Sequence, residues 1–292
     1  MAHFSRAGLV FDVSDEGPDD GETVLLLHGW PQDHTAWRHV APLLHAAGLR
    51  TLAPDQRGYS PGARPRGRAA YGMGELVADA VALLDAAGVT RAHVVGHDWG
   101  GSVAWALAER HPERVSSLTV LSTPHHHAMG WAMRHGDQLR RSWYMFAFQL
   151  PILPEAVLRR RLPAVLRRSG LPEEDVLRYA ARFRQPGAAT SCLAWYRGMP
   201  IGAALPRLLP IGRGPGRARP TGPHRRITVP TTYVWGRRDP ALGRDAALRT
   251  ERWVASDYRF VELDAGHWLP ERVPEVVAAE VLRRAGVPES RP

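Results

Sequence analysis

Apolar and polar positions change period twice along this chain. Residues 23–27, Thr-Val-Leu-Leu-Leu, form an unbroken β-branched and aliphatic run, the mark of a strand covered on both faces. Runs at 49–53, 91–95 and 115–121 predict further strands of the same sheet. Residues 9–13 alternate weakly and predict an edge strand. Between these runs, residues 35–47, 75–87 and 102–110 carry apolar positions at helical spacing. Thr35 is placed to cap the first helix, and Gly48 and Gly88 to stop the first two. Strands alternating with helices in this way predict right-handed crossovers and a mostly parallel sheet.

After Thr123 the rhythm breaks. Residues 124–227 read as helices separated by prolines, with no convincing strand. Alternation returns with a strand at 231–235, a helix at 245–254, a strand at 258–263 and a helix at 274–284. The pattern predicts an α/β core built from residues 1–123 and 228–292, flanked by helices. A helical cap at 124–227 would be inserted after the strand ending near Leu121. The stretch 202–226 is longer and richer in Gly, Pro and Arg than the return to the core needs.

Composition narrows the setting. The apolar fraction of 44% is ample for a core. No apolar run approaches the roughly 18 residues that span a bilayer. The first residues lack a basic stretch followed by an apolar one, and Cys192 is the single cysteine. These features predict a cytoplasmic protein without a membrane span, a disulfide or a multi-cysteine zinc site, with Cys192 serving as a small buried hydrophobe. The net charge of +9 rests on 38 cationic residues, all of them arginine. Arg159, Arg160 and Arg161 cluster with Arg167 and Arg168, and a second run spans 212–226. Neither is interleaved with aromatics as a nucleic-acid surface would be, so no nucleic-acid partner is expected; a solvated helix face and a loop are. His125, His126 and His127 are adjacent, and neighbouring histidines rarely converge on one ion, so no metal is expected either.

Candidate chemistry gathers at strand ends. Val-Val-Gly-His-Asp-Trp-Gly-Gly at 94–101 reads as a strand, a tight turn and a helix, with Asp98 between Gly96 and Gly100. On its own Asp98 is either the N-cap of an ordinary βα turn or a nucleophile held in a strained elbow. A carboxylate nucleophile forms an ester by displacing a leaving group from an sp3 carbon, which points to ring opening or dehalogenation. Asp239 follows the strand at 231–235 and His267 follows that at 258–263. An open parallel sheet binds its ligands outside such strand ends. The order nucleophile, acid, base then favours catalysis over capping. His28-Gly29-Trp30-Pro31 ends the first core strand. The backbone N–H groups of Trp30 and Trp99 are candidates for an oxyanion hole, whereas Pro31 has none to offer.

Five stretches carry a family resemblance: HGWP at 28–31, DQRGYS at 55–60, GHDWGG at 96–101, WGRRDPALG at 235–243 and AGHW at 265–268. In these the chain resembles the epoxide hydrolase branch of the α/β-hydrolase superfamily. The resemblance implies the α/β-hydrolase fold, an Asp nucleophile, no cofactor, and a small apolar epoxide and water as reactants. In that family two cap tyrosines hold the epoxide oxygen, as a phenol of pKa around 10 can donate to an alkoxide. SWYMFAFQLP at 142–151 resembles the first cap motif and AWYRGM at 194–199 the second, which assigns the roles to Tyr144 and Tyr196. A haloalkane or haloacid dehalogenase with the same triad is the alternative. Trp99 is common to both kinds of enzyme, and Trp30 stands where many dehalogenases carry Asn or Gln. A ligand-binding member without turnover is a third reading, for which an incomplete triad would be the signature. Trp131, Trp143, Phe148 and Trp195, with Trp268 beside His267, are expected to build cap core and line an apolar pocket.

Overall fold

Strands β1 (His3–Arg6), β2 (Leu9–Glu16), β3 (Thr23–Leu27), β4 (Arg50–Pro54), β5 (Ala92–His97), β6 (Val115–Leu121), β7 (Thr231–Gly236) and β8 (Tyr258–Leu263) form one sheet, in the order β1-β2-β4-β3-β5-β6-β7-β8. The computed structural model describes residues 1–199 and 225–288. From β4 to β8 all neighbours are parallel, and β1 and β2 add an antiparallel margin. Every residue of β3, β5 and β7 is buried, as the unbroken apolar runs require. Around the sheet lie α1 (Ala41–Ala46), α2 (Met73–Ala86), α3 (Trp99–Arg110), α10 (Arg244–Arg249), α11 (Leu269–Arg272) and α12 (Pro274–Arg284). α2 packs on α3, and α1 on α12.

The expected edge strand at 9–13 is longer, and β1 lies outside it. Arg6 and Leu9 pair across a two-residue turn in which Ala7 and Gly8 both have positive φ, 50° and 76°. Such a turn suits the twist of a hairpin. β1 has four residues, too few to show a period. The expected helix at 35–47 divides into a 3-10 turn at His34–Trp37 and α1, because Pro42 has no N–H to continue a ladder. Its cap is Asp33, whose Oδ1 accepts from the Thr35 amide at 2.9 Å, and not Thr35 itself. The helix at 245–254 likewise divides, into α10 and a 3-10 turn at Thr250–Trp253.

Between β6 and β7 the described residues form helices: α4 (His126–His135), α5 (Gln138–Arg141), α6 (Trp143–Ala147), α7 (Leu153–Arg168), α8 (Glu173–Phe183) and α9 (Ala188–Gly198). Leu158, Leu162 and Leu166 bury one side of α7, while α8 buries Val176, Tyr179, Ala180 and Phe183. The inserted helices are tied to the core by buried polar contacts. Arg38 pairs with the fully buried Asp175, and Arg182 with Asp55. Most of the long Gly/Pro/Arg stretch at 202–226 lies outside the described residues.

Candidate active site

Asp98 sits between β5 and α3 with φ 51° and ψ −119°, a conformation that costs an L-residue of order 1–3 kcal/mol. The surrounding glycines explain how it is tolerated. A Cβ on Gly100 would fall 2.0 Å from the Leu27 carbonyl oxygen, and one on Gly96 would fall 2.4 Å from the Gly100 oxygen. A Cβ on Gly29 would fall 2.3 Å from the Asp98 Cβ, so the His28-Gly29 pair lets the loop after β3 close on the carboxylate. Through that approach the Trp30 amide donates to Asp98 Oδ1 at 2.7 Å. The Trp99 amide is the first of α3, among the N–H groups a helix leaves without an internal acceptor.

His267 follows β8, and its two ring nitrogens face two carboxylates. Nδ1 lies 2.7 Å from Asp239 Oδ2 and Nε2 lies 3.6 Å from Asp98 Oδ2. Asp239 Oδ1 accepts from the Ala241 and Leu242 amides at 2.8 and 3.0 Å, which leaves Oδ2 for the imidazole. Burial alone would lower the affinity of His267 for a proton. Asp239 and then Asp98 outweigh it and raise the imidazole well above its ordinary value. Burial works the other way on Asp98, but His267 holds that carboxyl below its usual range. The resting pair is therefore imidazolium and carboxylate.

A cavity of about 550 Å³ opens above the pair. Asp98, His267, Trp30, Tyr144 and Tyr196 line it, with Trp143, Phe148, Leu153, Leu158 and Trp268 among the apolar walls. The Tyr144 and Tyr196 rings are 6.0 Å apart, and Tyr196 lies edge-on to Trp30 and Trp99 at 6.0 and 5.1 Å. Burial raises both phenols above their ordinary value; the Asp98 and Asp239 charges add to this at Tyr144, and those of Tyr144 and Asp98 at Tyr196. Both are neutral donors at physiological pH.

Two expected pocket residues do not line it. Trp195 is fully buried behind Trp99, and its indole donates to the Arg57 carbonyl at 2.6 Å, so it braces the core. Trp131 lies on α4, stacks on His135 and carries the Arg249 guanidinium on its face. Trp143 does line the cavity, but from its rim: it is 67% exposed. Near the three adjacent histidines, the fold brings Glu109 to 3.6 Å from His126, an acid the spacing did not reveal. The His125 ring stacks on the other two and on Trp253. Cys192 is buried, as expected of a small hydrophobe.

Six polar residues around the site were not predicted as a group. Gln32 Oε1 accepts from the Gly29 amide at 2.7 Å and lies 2.8 Å from His97 Nδ1, while His97 Nε2 is 2.9 Å from the His267 carbonyl oxygen. Gln32 Nε2 donates to Glu271 Oε1 at 2.7 Å, and the Tyr179 hydroxyl of α8 donates to the same oxygen at 2.9 Å. Gln138 of α5 accepts from the Gly243 amide and donates to the Ala241 carbonyl, both at 2.8 Å, which fixes the turn that carries Asp239. Arg141 adds a bond to the Asp239 carbonyl at 3.2 Å.

A sequence family described as alpha/beta hydrolase fold matches residues 22–272 of the chain. The protein is an α/β hydrolase. Within that family its similarity runs to epoxide hydrolases. The chain is 34% identical over 284 residues to the AB hydrolase superfamily protein YfhM of Bacillus subtilis, covering 94% of each chain. It is 32% identical over 318 residues to epoxide hydrolase A of Mycobacterium tuberculosis, again covering 94% of each. Among solved structures, an epoxide hydrolase of Bacillus megaterium in complex with an inhibitor superposes with a TM-score of 0.82 at 25% identity, covering 97% of this chain and 99% of that one. This α/β hydrolase is accordingly epoxide-hydrolase-like in sequence and in fold.

Proposed function

We propose that the protein hydrolyses a small apolar epoxide to a vicinal diol through an ester on Asp98. The observation that carries this reading is that one cavity is lined by Asp98, His267 and two neutral phenols, the half-buried Tyr144 and the buried Tyr196. In the first step an Asp98 oxygen attacks an epoxide carbon and the C–O bond breaks. A phenol proton passes to the departing alkoxide, leaving a hydroxyalkyl ester and a tyrosinate. Esterification removes the charge of Asp98, one of the two that raise His267, so the imidazolium becomes more acidic and gives its proton to the tyrosinate, which restores the phenol. His267, oriented by Asp239, then takes a proton from water, whose oxygen attacks the ester carbonyl. The Trp30 and Trp99 amides take the developing oxyanion. Collapse releases the diol, whose alkoxide takes the proton of the re-forming Asp98 carboxyl, and the site returns to carboxylate and imidazolium. No cofactor enters this scheme.

An F128A mutant of the Bacillus megaterium epoxide hydrolase, 25% identical to this chain, holds its aryloxy-propanediol product, which supports a diol in a pocket of this type. A dehalogenase reading draws on one observation. The indole N–H of Trp30 is buried without an acceptor, and it is a donor of the kind a halide takes. A paired assay separates the two. Diol from a styrene-type epoxide without bromide release from a bromoalkane is the expected result; the reverse would replace the first reading with the second.

A further inference from the structure

The arginine cluster of α7 has no part in the chemistry above, and it shares a surface with the mouth of the cavity. Ile152, Trp143 and Leu153 are 78%, 67% and 58% exposed, and Leu150, Val157 and Val165 are exposed beside them. All but Ile152 line the cavity, so these apolar side chains form a rim around its entrance and not scattered surface positions. The sequence pattern of α7 explains the arrangement. With Leu158, Leu162 and Leu166 turned inward, the outward side presents Leu153 and Val157 in its first two turns. Arg160, Arg161, Arg167 and Arg168 follow in the later turns. Arg167 pairs with the exposed Glu173. Arg160, Arg161 and Arg168 are exposed and have no carboxylate partner among the described residues.

An apolar rim of this kind ordinarily marks a place where something docks. The adjoining guanidiniums narrow the occupant to one that is anionic at its surface and apolar beneath, which is the layering of a lipid interface. We infer that the outward side of α7 and the turn before it seat the protein on an anionic lipid bilayer, with the cavity mouth against the membrane. The apolar rim enters the acyl boundary while the arginines reach the lipid phosphates, their aliphatic stems lying along the interface. No helix among the described residues is long and apolar enough to cross a membrane, so the attachment is peripheral. Docking follows from the helix surface alone. That the bilayer also delivers a lipid-dissolved epoxide to the cavity rests on the function proposed above.

The test is co-sedimentation with vesicles of phosphatidylglycerol and phosphatidylcholine, against vesicles of phosphatidylcholine alone. The full chain is expected to sediment with the anionic vesicles at low salt and to be released by high salt. Arg160→Glu with Arg161→Glu should weaken this by at least about tenfold, and Ile152→Glu should weaken it with both charges intact. Ile152, Arg160 and Arg161 lie outside the cavity lining, and thermal melting of each variant checks that it is folded. Because no turnover is measured, failure of the catalytic reading leaves this result unaffected. Absence of anionic-vesicle binding, binding indifferent to lipid charge and to these variants, or a chain that instead dimerises through Ile152 by light scattering would overturn the inference.

Discussion

The Tyr179 hydroxyl donates to Glu271 Oε1 across the boundary between the inserted helices and the core. The same carboxyl oxygen accepts from Gln32, which braces the loop that brings the Trp30 amide to Asp98. Burial, with a contribution from Asp175, raises the Glu271 carboxyl to about 7 against the hydrogen bonds from Gln32 and Tyr179.

That shift has a definite sign in stability. A carboxyl whose folded pKa lies above its unfolded value of 4.5 favours the native state fully below 4.5, and this contribution is lost as pH rises through about 7. Glu271→Gln keeps the hydrogen-bond acceptor without the charge. The variant is expected to gain on the parent between pH 5 and 8, by an amount on the order of a few kcal/mol. Urea titrations at several pH values measure the difference, and a constant offset would remove Glu271 as its source.

Asp98→Ala should lower diol formation by a factor on the order of 10⁴ or more while leaving the melting temperature near or above that of the parent. Ala bears the same positive-φ cost as Asp, so the substitution removes the buried carboxylate without adding backbone strain. Single-turnover assays decide the point, and activity within tenfold of the parent would remove Asp98 from the scheme.

His267→Gln should separate the two chemical steps. The first proceeds from a carboxylate that has lost its cationic neighbour, and the second lacks its base. Asp98 is then expected to accumulate as an ester, read by mass spectrometry as the mass of the intact epoxide added to the Asp98 peptide. An unmodified peptide after prolonged exposure to substrate counts against a covalent route.

Tyr144→Phe and Tyr196→Phe remove proton donors from the cavity with little change of shape. Loss of a general acid typically costs about 10²–10⁴-fold, and the double variant should lose nearly all epoxide turnover. Should it also release bromide from a bromoalkane, the dehalogenase reading gains.

Gly29→Ala places a methyl group 2.3 Å from the Asp98 Cβ, so the loop or the elbow must move. An overpacking cost of roughly 1–3 kcal/mol and loss of the Trp30-to-Asp98 hydrogen bond are expected together. Denaturation and turnover, measured on one preparation, check that both fall.

The alternation of strands and helices made the fold legible because each core strand carries its burial in consecutive residues. Asp98, Asp239 and His267 were legible for a related reason: each follows a core strand, and Gly96, Gly100 and Gly236 stand where a Cβ would fall 2.4, 2.0 and 2.3 Å from a backbone oxygen. Gln32, His97 and Glu271 carried no such local sign. Gln32 and Glu271 stand 239 positions apart, and a polar residue within an apolar pattern shows its partner only once the chain is folded. Gln32 lies directly after HGWP and Glu271 four residues after His267, and those adjacencies were the available hints. Of the five aromatics expected in the pocket, Trp131 and Trp195 fail to line it for a similar reason. Trp143 and Trp195 share a residue type and a helical setting, yet one stands on the rim and the other in the core.

Gln138 and Arg141 join α5 to the turn that carries Asp239. The helices over the cavity are thus not a hinged cover that could lift away while the chemistry waits beneath. Any swing that carries α5 with it would pull on the residue that orients the base, so the inserted helices and the triad are one mechanical unit at this point.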